Sequence, residues 1–121
     1  MTPVVLILVL VNIAVYLLQS MAPGLGNWFA FVPGAALVRP WTLVTYMFLH
    51  GSLSHIGFNM LALYFFGPRI EERMGSQQFA TLYFASGITG ALLSMLFSGA
   101  PIIGASGGVF GVMLAFAFFW P

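Results

Sequence analysis

Polar side chains that could do chemistry inside the apolar stretches of this 121-residue chain concentrate in two short segments. The first holds His50, Ser52, Ser54, His55 and Asn59; the second holds Ser106, inside Gly104-Ala105-Ser106-Gly107-Gly108-Val109-Phe110-Gly111. His55 and Asn59 stand four positions apart, so on a helix they share one face. An imidazole N–H and an amide NH₂ are both donors, and two donors aimed at one point are what a developing oxyanion requires. A serine opening a helix has free backbone N–H groups and the positive end of the helix dipole beside it. These types suggest nucleophilic attack by Ser106 on a carbonyl, with His55 and Asn59 assisting the oxyanion. Each also has a plainer reading. His55 and Asn59 can satisfy each other or a neighbouring helix, and Gly104, Gly107, Gly108 and Gly111 form a smooth strip that admits a second helix. Ser106 can bond back to a helix carbonyl.

Other chemistries lack their residues. Cysteine is absent, so there is no disulfide framework and no thiolate nucleophile. Both acidic residues are Glu, so a Ser-His-Asp triad cannot be assembled. A zinc site would lack a third ligand, and neither a metal nor a cofactor is expected. His50 lies five positions before His55 and is expected to point elsewhere on the helix. Residues 104–108 also fit the G-x-S-x-G elbow of α/β-hydrolases, but no strand precedes them and no acid and histidine follow, so that match is rejected. A net charge of +1 without a basic cluster excludes a nucleic-acid partner.

The elements that must position these groups follow from composition. Hydrophobic residues make up 61% of the chain and charged residues 4%, against about 25% charged in a soluble domain. So few charges cannot solvate a small domain in water, and the apolar excess fits a bilayer. Intrinsic disorder, which needs low hydrophobicity and high charge, is excluded as well. A spanning helix needs about 20 mostly apolar residues. Four stretches are expected to serve: residues 3–18, a helix starting near Ser52 within 41–66, residues 78–97, and residues 102–120. Residues 21–40 read as a Gly- and Pro-rich loop with interfacial aromatics, and 41–49 as an interfacial approach. The polar run 68–75 closes the second span, and 98–101 turn the chain into the fourth. No Lys or Arg precedes the first apolar run, so a retained span is favoured over a cleaved signal peptide. There is no repeat and no second domain, only one transmembrane domain over 1–121. Spans alternate in direction, so the starts of the second and fourth share one side of the membrane. Arg69 and Arg73 vote for placing the opposite end inside.

With the two segments in this order, the chain closely resembles the rhomboid intramembrane serine proteases. The resemblance rests on Arg39, Trp41, Thr42, His50, His55 and Asn59 within 39–60, on Glu72-Arg73-Met74-Gly75, and on the G-x-S-G-x-x-x-G of 104–111. It covers nearly the whole chain, from the first span to Trp120. It implies an all-α polytopic membrane helical bundle and an intramembrane serine endopeptidase that cleaves transmembrane substrates near the membrane boundary. Ser106 would be the nucleophile, while His55 and Asn59 would help the Ser106 N–H hold the oxyanion. Arg39 and Thr42 would belong to a partly embedded first loop and Arg73 to a structural network at the inner end of the second span. Gly104, Gly107 and Gly111 would set close packing of the serine-bearing helix. The family's general-base histidine lies on a sixth helix. The expectation is therefore a rhomboid-type domain truncated after the fourth helix, inactive as this fragment.

Two alternatives remain open at this stage. One is a catalytically dead rhomboid-like protein that binds or escorts transmembrane clients. The other is a multi-pass scaffold or transporter subunit, against which the polar groups stand at helix starts rather than at the midplane. Transmembrane protein substrates and the lipid bilayer are the expected partners, and the oligomeric state is left open. The absence of an Arg- and Ser-rich transit-like extension makes a bacterial inner membrane the expected location.

Overall fold

The computed structural model describes residues 1–121, and the architecture is all-helical. Four longer helices form the bundle: α1 (Pro3–Met21), α4 (Leu53–Met74), α5 (Ser76–Phe97) and α6 (Ser106–Phe119). Two short helices, α2 (Leu25–Phe29) and α3 (Thr42–Thr45), lie in the connection between α1 and α4, together with 3₁₀ turns at Pro33–Ala35 and Tyr46–Phe48. At 1.5 Å per residue, α1 is about 28 Å long and α5 about 33 Å, enough for the hydrocarbon core of a bilayer. Both are apolar enough to cross one. The bundle wears its hydrophobic residues outside: Ile7, Leu17, Phe58, Phe65, Phe97 and Phe118 are all exposed. In water such a surface would aggregate; against lipid it is the solvated face. The chain is thus a membrane helical bundle.

The inside is built on close approach. α6 packs chiefly on α5 and then on α4, and α4 packs on α1. Where α5 crosses α6, a side chain added at Gly107 would stand 3.3 Å from the Gly87 Cα, and one at Gly111 would collide with Ser86. One added at Gly108 would meet the Tyr83 ring at 2.9 Å. The small-residue strip at 107, 108 and 111 therefore faces α5, as its composition suggests. α1 and α4 meet at Gly67, where a Cβ would lie 2.7 Å from Val5. Lipid offers apolar side chains no reason to leave it, so this contact surface, with the polar links below, is what holds membrane helices together.

Three details refine or change the reading of the sequence. First, α4 ends within the polar run expected to close it, but only at the far end of that run. It continues through Pro68 to Met74, and Gly75, at φ 92°, ends it and leads straight into α5. The helix tolerates the polar run because Glu71 is turned inward, where it caps the start of α1. Its carboxylate accepts from the Val4 and Val5 N–H groups at 3.0 and 3.1 Å and from the Ser76 hydroxyl at 2.6 Å. Second, the last helix starts at Ser106 rather than at 102. Phe31 and Ile102 exchange backbone hydrogen bonds at 3.1 and 2.9 Å as an antiparallel bridge. Gly104, at φ +118°, then breaks the helical path. Third, residues 21–40 are more ordered than a plain loop. Arg39 donates to the Asn27 carbonyl and lies 4.6 Å from the Trp28 ring centre, while Trp41 donates to the Trp28 carbonyl. Thr45 donates to the Phe29 carbonyl, which pins α2 against α3. The network expected around Arg73 is a cation–π stack: its guanidinium lies 4.8 Å from the Phe119 ring centre and 5.9 Å from that of Trp120.

Candidate active site

The starts of α4 and α6 meet at one end of the bundle. α4 begins at Leu53 because Ser52 caps it, its hydroxyl accepting the His55 N–H at 3.1 Å. That places His55 in the first turn and Asn59 one turn deeper. α6 begins at Ser106 after the Gly104 turn, which the Tyr46 carbonyl fixes by accepting the Gly104 N–H at 2.9 Å. The Tyr46 hydroxyl in turn donates to the Gly87 carbonyl of α5. Tyr46 thus sets the height of the turn relative to α5.

Ser106 is exposed and stands at the first position of α6. Its hydroxyl donates to Asn59 Oδ1 at 3.2 Å. Asn59 is buried, and its Nδ2 has no hydrogen-bond partner. An unmet buried amide N–H₂ is costly, and here it sits on the side chain that touches Ser106. His55 is half-buried, and its Nδ1 accepts the Gly51 N–H at 3.3 Å. In the neutral ring Nε2 then carries the proton and is the donor. Gly104 admits that edge of the ring, since a Cβ there would lie 2.8 Å from His55 Nε2. No other residue type fits both the positive φ and the ring. The structure brings together Ser106 and Asn59 directly, and His55 against the turn that precedes Ser106.

His50 is the correction. It does not point away from the cluster, because residues 49–52 precede the helix and the helical spacing does not apply to them. Its ring stands edge-on to His55 with centres 5.0 Å apart, and its Nε2 accepts the Ala105 N–H at 3.4 Å. His50 is only 2% exposed. Burial first, and then the neighbouring His55, hold its pKa down to about 4. A second residue escaped the sequence reading altogether. The Gln19 side chain donates to the His50 carbonyl at 3.0 Å and accepts the His50 N–H at 2.9 Å. An amide at the end of an apolar span is the only signal the sequence carries for it. Among the described residues no group of three or more His, Cys, Asp or Glu side chains is arranged to hold a metal ion.

The arrangement offers a hydroxyl at a helix N-terminus, a free amide donor beside it and an imidazole nearby. That combination suits addition to a carbonyl. Comparison with known proteins agrees in kind. A family model described as the Rhomboid domain matches residues 37–121. Rhomboid protease GluP of Bacillus subtilis is 44% identical over 73 residues, covering 60% of this chain and 14% of that protein. RHOMBOID-like protein 1 of Arabidopsis thaliana is 45% identical over 74 residues, 60% of this chain and 19% of that protein. Rhomboid-like protease 3 of Toxoplasma gondii is 38% identical over 85 residues, 69% and 32% respectively. The matched stretch is thus a third or less of the length of each of these relatives.

Proposed function

Because the chain belongs to the rhomboid family, whose model covers its last 85 residues, a family of intramembrane proteases, we propose that Ser106 is the nucleophile of an intramembrane serine endopeptidase acting on transmembrane proteins near the membrane boundary. In this reading Ser106 Oγ attacks the carbonyl carbon of a peptide bond, and the carbonyl oxygen becomes the oxyanion. Asn59 Nδ2–H, His55 Nε2–H and the Ser106 N–H receive that charge. Collapse of the intermediate breaks the C–N bond, the amine leaves with a proton, and water hydrolyses the acyl ester. The Ser106 proton must pass to a base. Its present acceptor, the Asn59 amide oxygen, is too weak a base for that step, and the resemblance supplies the base as a histidine on a later helix. Membership of the family is consistent with transmembrane protein substrates.

One observation carries the proposal. Asn59 divides its amide between the two halves of the reaction, with Oδ1 holding the Ser106 hydroxyl and Nδ2 buried without a partner. The test is reconstitution of the full-length protein in proteoliposomes with a transmembrane reporter. Cleavage by the parent and its loss in Ser106→Ala is the expected result. Undiminished cleavage by Ser106→Ala overturns the assignment, and a parent that retains clients without ever cutting them supports the client-binding reading instead.

A further inference from the structure

The bond between the His50 ring and Ala105 joins two segments far apart in the chain, immediately before the proposed nucleophile. Ala105 is fully buried and is the residue that leads into α6, so wherever its peptide sits, Ser106 follows. Three contacts hold this approach. Ile102 is bridged to Phe31, the Gly104 N–H goes to the Tyr46 carbonyl, and the Ala105 N–H goes to His50 Nε2. The first two are backbone to backbone. The third is the only one of these that depends on a side chain, and it is the nearest to Ser106.

His50 is itself held. Gln19, on α1, makes a reciprocal pair of bonds with the His50 backbone, so the main chain that carries the ring is tied to α1. A chain of named contacts therefore runs from the end of α1 through Gln19, His50 and Ala105 to Ser106. Because Nε2 accepts, the neutral ring must carry its proton on Nδ1, which is buried without a close partner. A protonated ring would turn Nε2 into a second donor facing the Ala105 N–H and lose the contact. Of the groups packed around the ring, His55 from α4 is the titratable one; Gln19 from α1 and the backbone of 102–105 carry no charge.

We propose that His50 is a positioning residue for Ser106: as a neutral imidazole anchored by Gln19, it holds the Ala105 peptide and thereby fixes where the hydroxyl at the start of α6 stands. It touches neither substrate nor oxyanion, and it acts through Ala105. The proposal deepens the proteolytic reading and rests on it for its catalytic consequence, while the link from His50 to Ala105 is measurable without any cleavage.

The experiment uses the full-length protein and two variants. His50→Leu fills the space without an acceptor; His50→Gln places an amide oxygen where Nε2 stands and does not titrate. Amide hydrogen exchange at Ala105 reads the link, and reporter cleavage reads its effect on Ser106. His50→Leu should exchange the Ala105 amide about tenfold faster, the worth of one lost buried hydrogen bond, and lower kcat while KM stays near that of the parent. His50→Gln should return both towards the parent. Gln19→Leu, which leaves the ring intact, should move both in the same direction by less, and it decides the matter if His50→Leu does not fold. Unchanged Ala105 exchange in His50→Leu and Gln19→Leu overturns the proposal, as does a kcat that Gln fails to restore at normal thermal stability. If the parent cleaves nothing, or if Ser106→Ala cleaves normally, the proteolytic reading falls by itself and the exchange result alone judges the link.

Discussion

The two ends of α4 do opposite things with buried polar groups. At its C-terminal end, Glu71 is 3% exposed and fully used: two backbone N–H groups of α1 and the Ser76 hydroxyl all point at one carboxylate. At its N-terminal end, Asn59 and His50 are just as buried, yet Asn59 Nδ2 and His50 Nδ1 have no partners. Both clusters join α4 to other helices, so helix association alone does not explain the difference. A saturated cluster has settled in its lowest state and resists change. An unsaturated one keeps donors free and gives up stability to do so, the pattern expected where strain and function coincide. Buried unpartnered atoms also occur on Thr2, Asn12 and Tyr83, so what assigns chemistry to the site end is that its free amide belongs to the side chain that holds Ser106.

Removing the hydroxyl tests the second half of that assignment most severely. Ser106→Ala in the full-length protein should cut reporter cleavage by more than about a thousandfold, while the loss of its bond to Asn59 Oδ1 should lower stability by about 1 kcal/mol. Asn59→Ala should come next. Loss of one oxyanion donor costs about a hundred- to a thousandfold in kcat, with KM little altered, and steady-state kinetics separate the two. If Asn59→Ala instead lowers stability and leaves kcat alone, Asn59 is helix glue and the contrast between the ends collapses.

Glu71 should behave the other way. Glu71→Gln keeps the shape but leaves α1 capped by a neutral amide, and should destabilise the protein by about 3 kcal/mol, the scale of charge-assisted hydrogen bonds lost at a buried site. Equilibrium unfolding in mixed micelles measures it. The variant that does fold should cleave at close to the parental kcat. A stable but inactive Glu71→Gln would mean that the two ends are coupled and not divided in labour.

How much of this was legible follows the same division. The residues of the site were readable because polar side chains in an apolar chain are conspicuous, and alternation of spans alone brings Ser106 to the end that holds His55 and Asn59. The helices themselves were readable from the apolar runs. What could not be read were groups whose role depends on backbone path. His50 looked misplaced because helical spacing was applied to residues that come before the helix starts. Gln19 and Tyr46 act through main-chain atoms of distant segments, and nothing in their own spacing reveals such partners. The start of α6 was misplaced because Ile102 and Ile103 are apolar enough for a span, while the bridge to Phe31 and the φ of Gly104 decide otherwise. Glu71 was hidden inside a polar run that read only as the close of the second span.

Close approach of α5 and α6 gives a finer probe of the architecture. Gly111→Ala would place a methyl group against Ser86, whose Cβ is 2.5 Å from the position it must occupy. The helices must separate there, at a cost of about 2 kcal/mol in overpacking, read as a lower unfolding midpoint. Ser86→Gly should restore most of it in the double variant, because the collision is with that one side chain. Failure of the rescue would show that α6 is located by its start, at the Gly104 turn, more than by its flank.

The smallest effect is a dependence on pH, and its sign is fixed by burial. His50 has a pKa near 4 in the folded protein against 6.5 for an ordinary histidine. Above pH 6.5 both the folded and unfolded chains hold it neutral, and it contributes no slope. As pH falls from 6.5 towards 4, the unfolded chain takes up a proton that the folded chain refuses, so stability declines across that window. Below about 4 both states are protonated and the slope ends. Every other titratable group is common to both chains, so the quantity to measure is the difference between the parent and His50→Gln, which has nothing to titrate at this position. That difference should be flat at neutral pH and turn against the parent only below pH 6.5. A difference that is level throughout would mean that water reaches the ring, and the site end of α4 would then be less sealed than its buried, unpartnered groups require.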